Sequence, residues 1–208
     1  LLIMVDKEGD LAHPDEKVRD SAVERHKKWV DAAYRLGSHS IRVNTNGTLV
    51  EDLWLEAAED GLRKLATYAA TKNINVIVEN HGGFSSQPEK LMQVINALNM
   101  PNSGTLPDFG NWCIKWDKKS KTCKLKYDDY YKGIKLMMPA AKAVSAKSND
   151  FDENGNEIRI DYVKMLQIVK NAGYNGYIGI EYEGQRLSEL QGVIATRDLL
   201  IKAAKELK

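Results

Sequence analysis

The chain has 208 residues, 43% of them hydrophobic, which is enough to bury a core of ordinary size in one domain and excludes a disordered polymer. Its 30 basic and 29 acidic residues leave a net charge of +1, so the electrostatic footprint of a dedicated nucleic-acid binder is missing and small neutral partners are favoured. Two cysteines, Cys113 and Cys123, do not read as a disulfide framework, and no run nears the roughly 18 apolar residues that span a bilayer, so the composition predicts a cytoplasmic protein. The opening LLIMVDKEGD has neither the basic start nor the cleavage site of a signal peptide, although a chain that opens on Leu1 need not start at its natural N-terminus.

Along the chain, short Val- and Ile-rich runs alternate with longer stretches of helical period, the pattern of βα units around a parallel sheet. Strands are predicted at residues 1–6, 40–44, 75–80, 104–110, 143–149 and 177–184, each followed by a helix. The first helix opens at Pro14 and Asp15, presents Val18, Ala22, Val23, Trp29, Val30 and Ala33 on one stripe, and stops at Gly37. Residues 50–72 repeat the period with Leu53, Leu55, Ala58, Leu62, Leu65 and Tyr68 inward, as do 161–172 and 187–207. The insertion WCIKWDKKSKTCKLKYDD, residues 112–129, alternates apolar residues with lysines and predicts a small hairpin, a solvated flap over one mouth of the sheet.

The polar residues nearest the strand ends are Asp6, Asn44, Glu79, Asp108, Ser145 or Lys147, and Glu181, separated by 29 to 38 residues. Regular spacing of this kind predicts an α/β fold of the (β/α) TIM-barrel type, whose loops build one site at the C-terminal face of the strands. A doubly wound sheet draws its ligand site from one switch point, and no GxGxxG follows any strand. Six βα units fall two short of a barrel of about 250 residues, so residues 1–208 are read as one barrel domain, either a six-unit variant or an N-terminally incomplete chain lacking its first two units.

Glu79, Asp108 and Glu181 are three carboxylates aimed into one mouth, where they repel unless a cation lies between them, and a divalent ion with oxygen ligands meets that need. Each alone also suits a helix cap or a lysine pair. His81 lies two residues beyond Glu79, on the same side of an extended segment, as a substrate contact or a ligand. Gly82 and Gly83 let the backbone approach a ligand closely or simply turn the chain. Ser145 and Lys147 share a strand face, and Lys147 is placed to neutralise a substrate oxyanion or phosphate, a solvated lysine being the alternative. DFDENGNEIRID, residues 150–161, fits a calcium loop, but it follows a strand and has Glu157 where an aliphatic residue is usual, which favours a plain turn.

VIVENHGG, TLPDFGNW, AVSAKSNDFD and GYIGIEYEG together resemble the motifs of the xylose-isomerase-like barrel superfamily, which includes sugar phosphate isomerases, epimerases and AP endonucleases. The resemblance covers essentially the whole chain. It implies that Glu79, Asp108 and Glu181 hold a divalent metal, that Glu79 and Glu181 form the acid/base pair, and that LLIMVD is the family's third strand, the first two units lying outside this sequence. Ser145 stands where the family has a ligand histidine, and Asn111 where related enzymes have another. The remaining oxygen donors suit Mg or Mn better than Zn and count against the endonuclease reading. The expected function is a sugar or sugar-phosphate isomerase or epimerase, with Lys147 as a catalytic cation and His81, Asn44 and Asn111 contacting a small-molecule carbohydrate. No nucleic-acid or membrane partner is expected, and a homo-oligomer is left open. A metal-free carbohydrate-binding barrel and a metal-dependent lyase or hydrolase on a sugar derivative are the alternatives.

Overall fold

A computed structural model describes residues 2–208. β1 (Ile3–Val5), β2 (Ser40–Val43), β3 (Asn75–Glu79) and β4 (Ser103–Leu106) form a parallel sheet in chain order. After β4 the antiparallel hairpin of β5 (Cys113–Asp117) and β6 (Thr122–Lys126) stands apart, and then β7 (Val144–Ser148) pairs in parallel with β8 (Ile178–Tyr182). Parallel bridges from Thr105 to Ala141 and from Asp108 to Ser145 join β4 to β7, with Ser145 N donating to Pro107 O at 2.9 Å and Phe109 N to Ser145 O at 3.1 Å. Six parallel strands therefore run side by side in sequence order, as the fold class requires. β4 stops at Leu106 rather than Gly110 because Pro107 has no N–H to give the ladder. Among the described residues β1 and β8 are not paired with each other.

Each strand is followed by a helix that covers the sheet's outer face. α1 (Glu16–Leu36) starts where the Asp15 carboxylate accepts from Val18 N at 3.1 Å, and ends at Gly37, whose φ of 68° is the left-handed value a helix stop needs. α2 (Glu51–Ala70) and α3 (Pro88–Leu98) follow β2 and β3, and with α1 they bury Val30, Ala33, Leu62, Leu65 and Leu91 against Ile41 and Val76. α4 (Tyr130–Met137), α5 (Tyr162–Asn171) and α6 (Glu189–Lys205) build a second core around Phe109, Trp112, Val144, Met165 and Leu199.

Two phases of the helical stripes differ from the expectation. Val18 and Leu53 are exposed, while Trp54 is fully buried, its Nε1 donating to Thr45 O at 2.7 Å. Leu53, Trp54 and Leu55 are consecutive apolar residues, so the period sets the face only to within one position, and the side chain with the larger area takes the core.

The hairpin forms where the alternation predicted it, rooted by Tyr127 N donating to Trp112 O at 2.9 Å. Trp112 stacks on Tyr130 with ring centroids 5.7 Å apart and donates its Nε1 to Phe109 O at 2.7 Å. The two cysteines, expected to stay unpaired, are joined across the hairpin as a disulfide with Cα atoms 5.7 Å apart. Folding β5 onto β6 brings residues ten apart in sequence into that range, so the cysteine count no longer argues for a reducing compartment. No helix among the described residues is long and apolar enough to cross a membrane.

Residues 150–161 make a turn. Asp152 accepts from the backbone of Asn154 and Asn156, Phe151 bridges Glu157, and Glu157 turns inward to accept from Arg159 N and Ile160 N. With two ligand-position acids, Asp152 and Asp161, accepting from backbone N–H groups, the calcium reading is set aside.

Candidate active site

The parallel sheet delivers its C-terminal residues to one mouth, and there Glu79, Asp108 and Glu181 each bring one carboxylate oxygen within 4.8 Å of the others. Glu79 ends β3, Asp108 lies just beyond β4, and Glu181 lies within β8. Asp108 is fully buried. Its Oδ1 accepts from Gly110 N at 2.9 Å and Asn111 N at 2.8 Å, while its Oδ2 is buried without a partner. Burial, and then the Glu79 charge, push the Asp108 carboxyl up to about 8 against the opposing pull of Lys147. An orphaned buried oxygen between two other carboxylates fits a hard divalent cation.

Two cations already lie among these acids. Arg42, projecting from β2 and 1% exposed, donates its Nε and Nη2 to Glu79 Oε2 and its Nη1 to Asp6. Lys147, on β7 and 4% exposed, reaches Asn111 Oδ1 at 2.7 Å, Glu183 Oε2 at 2.9 Å and Glu181 Oε1 at 3.3 Å. Burial pulls the Lys147 ammonium down, but the surrounding Asp108, Glu181 and Glu183 charges hold it above the usual lysine value. Ser145, where the resemblance calls for a ligand imidazole, instead donates its hydroxyl to Glu181 Oε2 at 3.2 Å.

Amide side chains hold this constellation in register. Asn111 donates from Nδ2 to Glu79 Oε1 at 2.7 Å while its Oδ1 accepts from Lys147, so one residue ties both sides of the mouth together. Asn80, fully buried, donates to the carbonyls of Asp108 and Asn111 and accepts from Asp108 N.

Of the residues expected at the site, Glu79, Asp108, Glu181, Lys147 and Asn111 converge. Asn44 lies beside them, donating to Asp6 at 3.0 Å, with its Oδ1 buried and unpartnered. His81 does not join the carboxylates: its backbone N–H is taken by Ser85 Oγ at 3.0 Å and the residue is exposed. Arg42, Asp6, Glu183 and Asn80 went unread as site residues. For Arg42 the sequence offers only a guanidinium inside the short apolar run SIRVN, and for Glu183 its place two residues past Glu181, on the same side of an extended segment.

A family model described as a xylose isomerase-like TIM barrel matches residues 4–204. Among solved structures, L-ribulose 3-epimerase superposes with a TM-score of 0.76 at 13% identity, covering 99% of this chain and 75% of that one. A xylose isomerase-like TIM barrel protein from Mycobacterium smegmatis, in complex with magnesium, gives a TM-score of 0.70 at 16% identity, covering 100% and 74%. The C-glycoside deglycosidase alpha subunit of Arthrobacter globiformis is 39% identical over 54 residues, 26% of this chain and 15% of that protein. The match therefore spans well under two thirds of that relative's length.

Proposed function

The chain belongs to the xylose isomerase-like TIM barrel family, and from that premise we propose that it is a sugar or sugar-phosphate isomerase or epimerase that moves a proton at the carbon beside a carbonyl. The observation that carries this reading is the convergence of Glu79, Asp108 and Glu181 from three strands, with Asp108 Oδ2 left open. The name of the superposed L-ribulose 3-epimerase supports it.

Glu181, whose side chain keeps 31% exposure, faces the substrate and takes the proton, while Glu79, 3% exposed and steadied by Arg42 and Asn111, serves as the second proton carrier. Lys147 sets a cation beside the developing enediolate, where water is excluded and a fixed charge acts strongly. Asn44 and Asn111 supply polar contacts for the hydroxyls of a carbohydrate. Glu79, Asp108 and Glu181 would hold Mg or Mn in preference to Zn, in keeping with their all-oxygen donors. When bound there, such an ion supplies Lewis-acid polarisation of the substrate's oxygens.

The test is Glu79→Gln and Glu181→Gln, following solvent-deuterium exchange into a panel of ketoses and aldoses in the presence of Mn. Either substitution lowers exchange by at least about 100-fold; exchange at the wild-type rate removes the assignment. A metal-free carbohydrate-binding barrel is favoured by one observation, that Arg42 and Lys147 already face Glu79 and Glu181. Metal analysis after loading separates the two. Lyase or hydrolase chemistry on a sugar derivative has the support of the short deglycosidase match, and product analysis on a C-glycoside tests it.

A further inference from the structure

The ammonium of Lys147 has three N–H donors and three acceptors, of which only Glu181 belongs to the carboxylate trio. That contact is also the longest, 3.3 Å against 2.7 Å to Asn111 and 2.9 Å to Glu183. The stem packs against Gly110, where an added Cβ would fall 2.8 Å from Lys147 Cδ. Glu183 is anchored by its backbone N–H on Ser148 O at 2.9 Å, just past β8 and outside the trio.

The geometry points to Lys147 as a tethered cation that competes with a divalent ion for Glu181, and to Glu183 as the positioning residue that receives Lys147 when the ion takes that carboxylate. The inference rests on the trio being the cation site of the proposed function. Without a divalent ion, the lysine answers the repulsion among three closely set carboxylates; with one, two adjacent positive centres repel, and the shortest displacement open to Lys147 is to give up its longest bond and keep the other two. The pair Lys147 and Glu183 thereby sets how tightly the site holds its ion, and Glu183 acts without touching it.

Calorimetric titration of the full chain with Mn, at one pH, tests this on wild type, Lys147→Met, Glu183→Gln and the double variant. Lys147→Met tightens Mn binding by about 10-fold or more, because the competing charge is gone. Glu183→Gln weakens it by about 3- to 10-fold, because Glu181 is then the only carboxylate in direct contact with Lys147. The double variant binds like Lys147→Met, since Glu183 acts only through the lysine. Lys147→Arg, which keeps the charge, stays near wild type. Lys147→Gln has the same sign as the methionine variant and replaces it should that one fail to fold. Unchanged or weaker binding in Lys147→Met overturns the inference, as does a Glu183→Gln effect that persists in the double variant. Mn binding by none of the proteins at millimolar concentration overturns the inference together with the cation site itself, whereas equal binding by wild type and Lys147→Met overturns the inference alone.

Discussion

Asn80 and Asp108 clasp each other through the backbone: Asp108 N donates to Asn80 Oδ1 at 2.7 Å, and Asn80 Nδ2 donates back to Asp108 O at 3.0 Å. The clasp fixes the main chain of Asp108 without using its carboxylate, which leaves Oδ2 open toward Glu79 and Glu181. Asn80→Asp keeps the shape but turns a donor into a charged acceptor facing two carbonyl oxygens. We expect unfolding free energy to fall by about 3 kcal/mol in urea titrations, with Asn80→Ala costing less, about 1–2 kcal/mol.

The raised pKa of Asp108 predicts a pH dependence with two signs. Its carboxyl is pushed up from 3.8 to about 8 in the folded chain, so between those values the folded state holds a proton that the unfolded state has lost. Metal-free stability therefore declines as pH rises from about 4 to about 8, and Asp108→Asn flattens that decline. Divalent binding runs the other way, because the ion must displace the proton. Mn affinity rises by up to about tenfold per pH unit from 6 to 8 and then levels off, as titrations at several pH values should show.

Gly110 is held to a bare hydrogen by Lys147, whose Cγ and Cδ would lie 3.0 and 2.8 Å from an added Cβ. Gly110→Ala pushes the lysine stem off its seat. The expected cost is about 1–2 kcal/mol of stability and a slower proton exchange at unchanged fold, read by thermal melting and by deuterium incorporation.

Among the described residues Arg42 is the only cation in contact with Glu79, and both are buried. Arg42→Met leaves an uncompensated buried carboxylate and lowers stability by about 3–5 kcal/mol. Adding Glu79→Gln returns part of that loss, so a double-mutant cycle gives a favourable coupling of more than about 1 kcal/mol between the two.

The strand positions were legible because each strand is a short β-branched run and each ends in a polar residue at near-constant spacing. Glu79, Asp108 and Glu181 stood out for the same reason. Arg42 did not, because in SIRVN a single guanidinium reads as the wet side of an amphipathic strand, and only the assembled barrel shows that both faces are covered. Leu53 and Trp54 were exchanged because a run of three apolar residues leaves the helical phase open to one residue, which packing then decides. His81 was placed by extended-chain alternation, but the chain leaves the strand at Glu79 and turns into a 3₁₀ segment at Gly83–Ser86, so the two-residue period no longer applies.

The hairpin of β5 and β6 is closed twice, by its disulfide and by the Tyr127-to-Trp112 backbone bond, and the Trp112 stack on Tyr130 seats it on the barrel. Between those closures the hairpin pairs mainly with itself and otherwise packs on the 3₁₀ segment Gly83–Ser86, while the residue just before them, Asn111, touches both Glu79 and Lys147. The insertion is thus an exchangeable cassette: its sequence and length can drift or be grafted without re-folding the strands beneath, and each change arrives one residue away from the chemistry. Residues 113–126 can therefore vary while Glu79, Asp108 and Glu181 stay where they are.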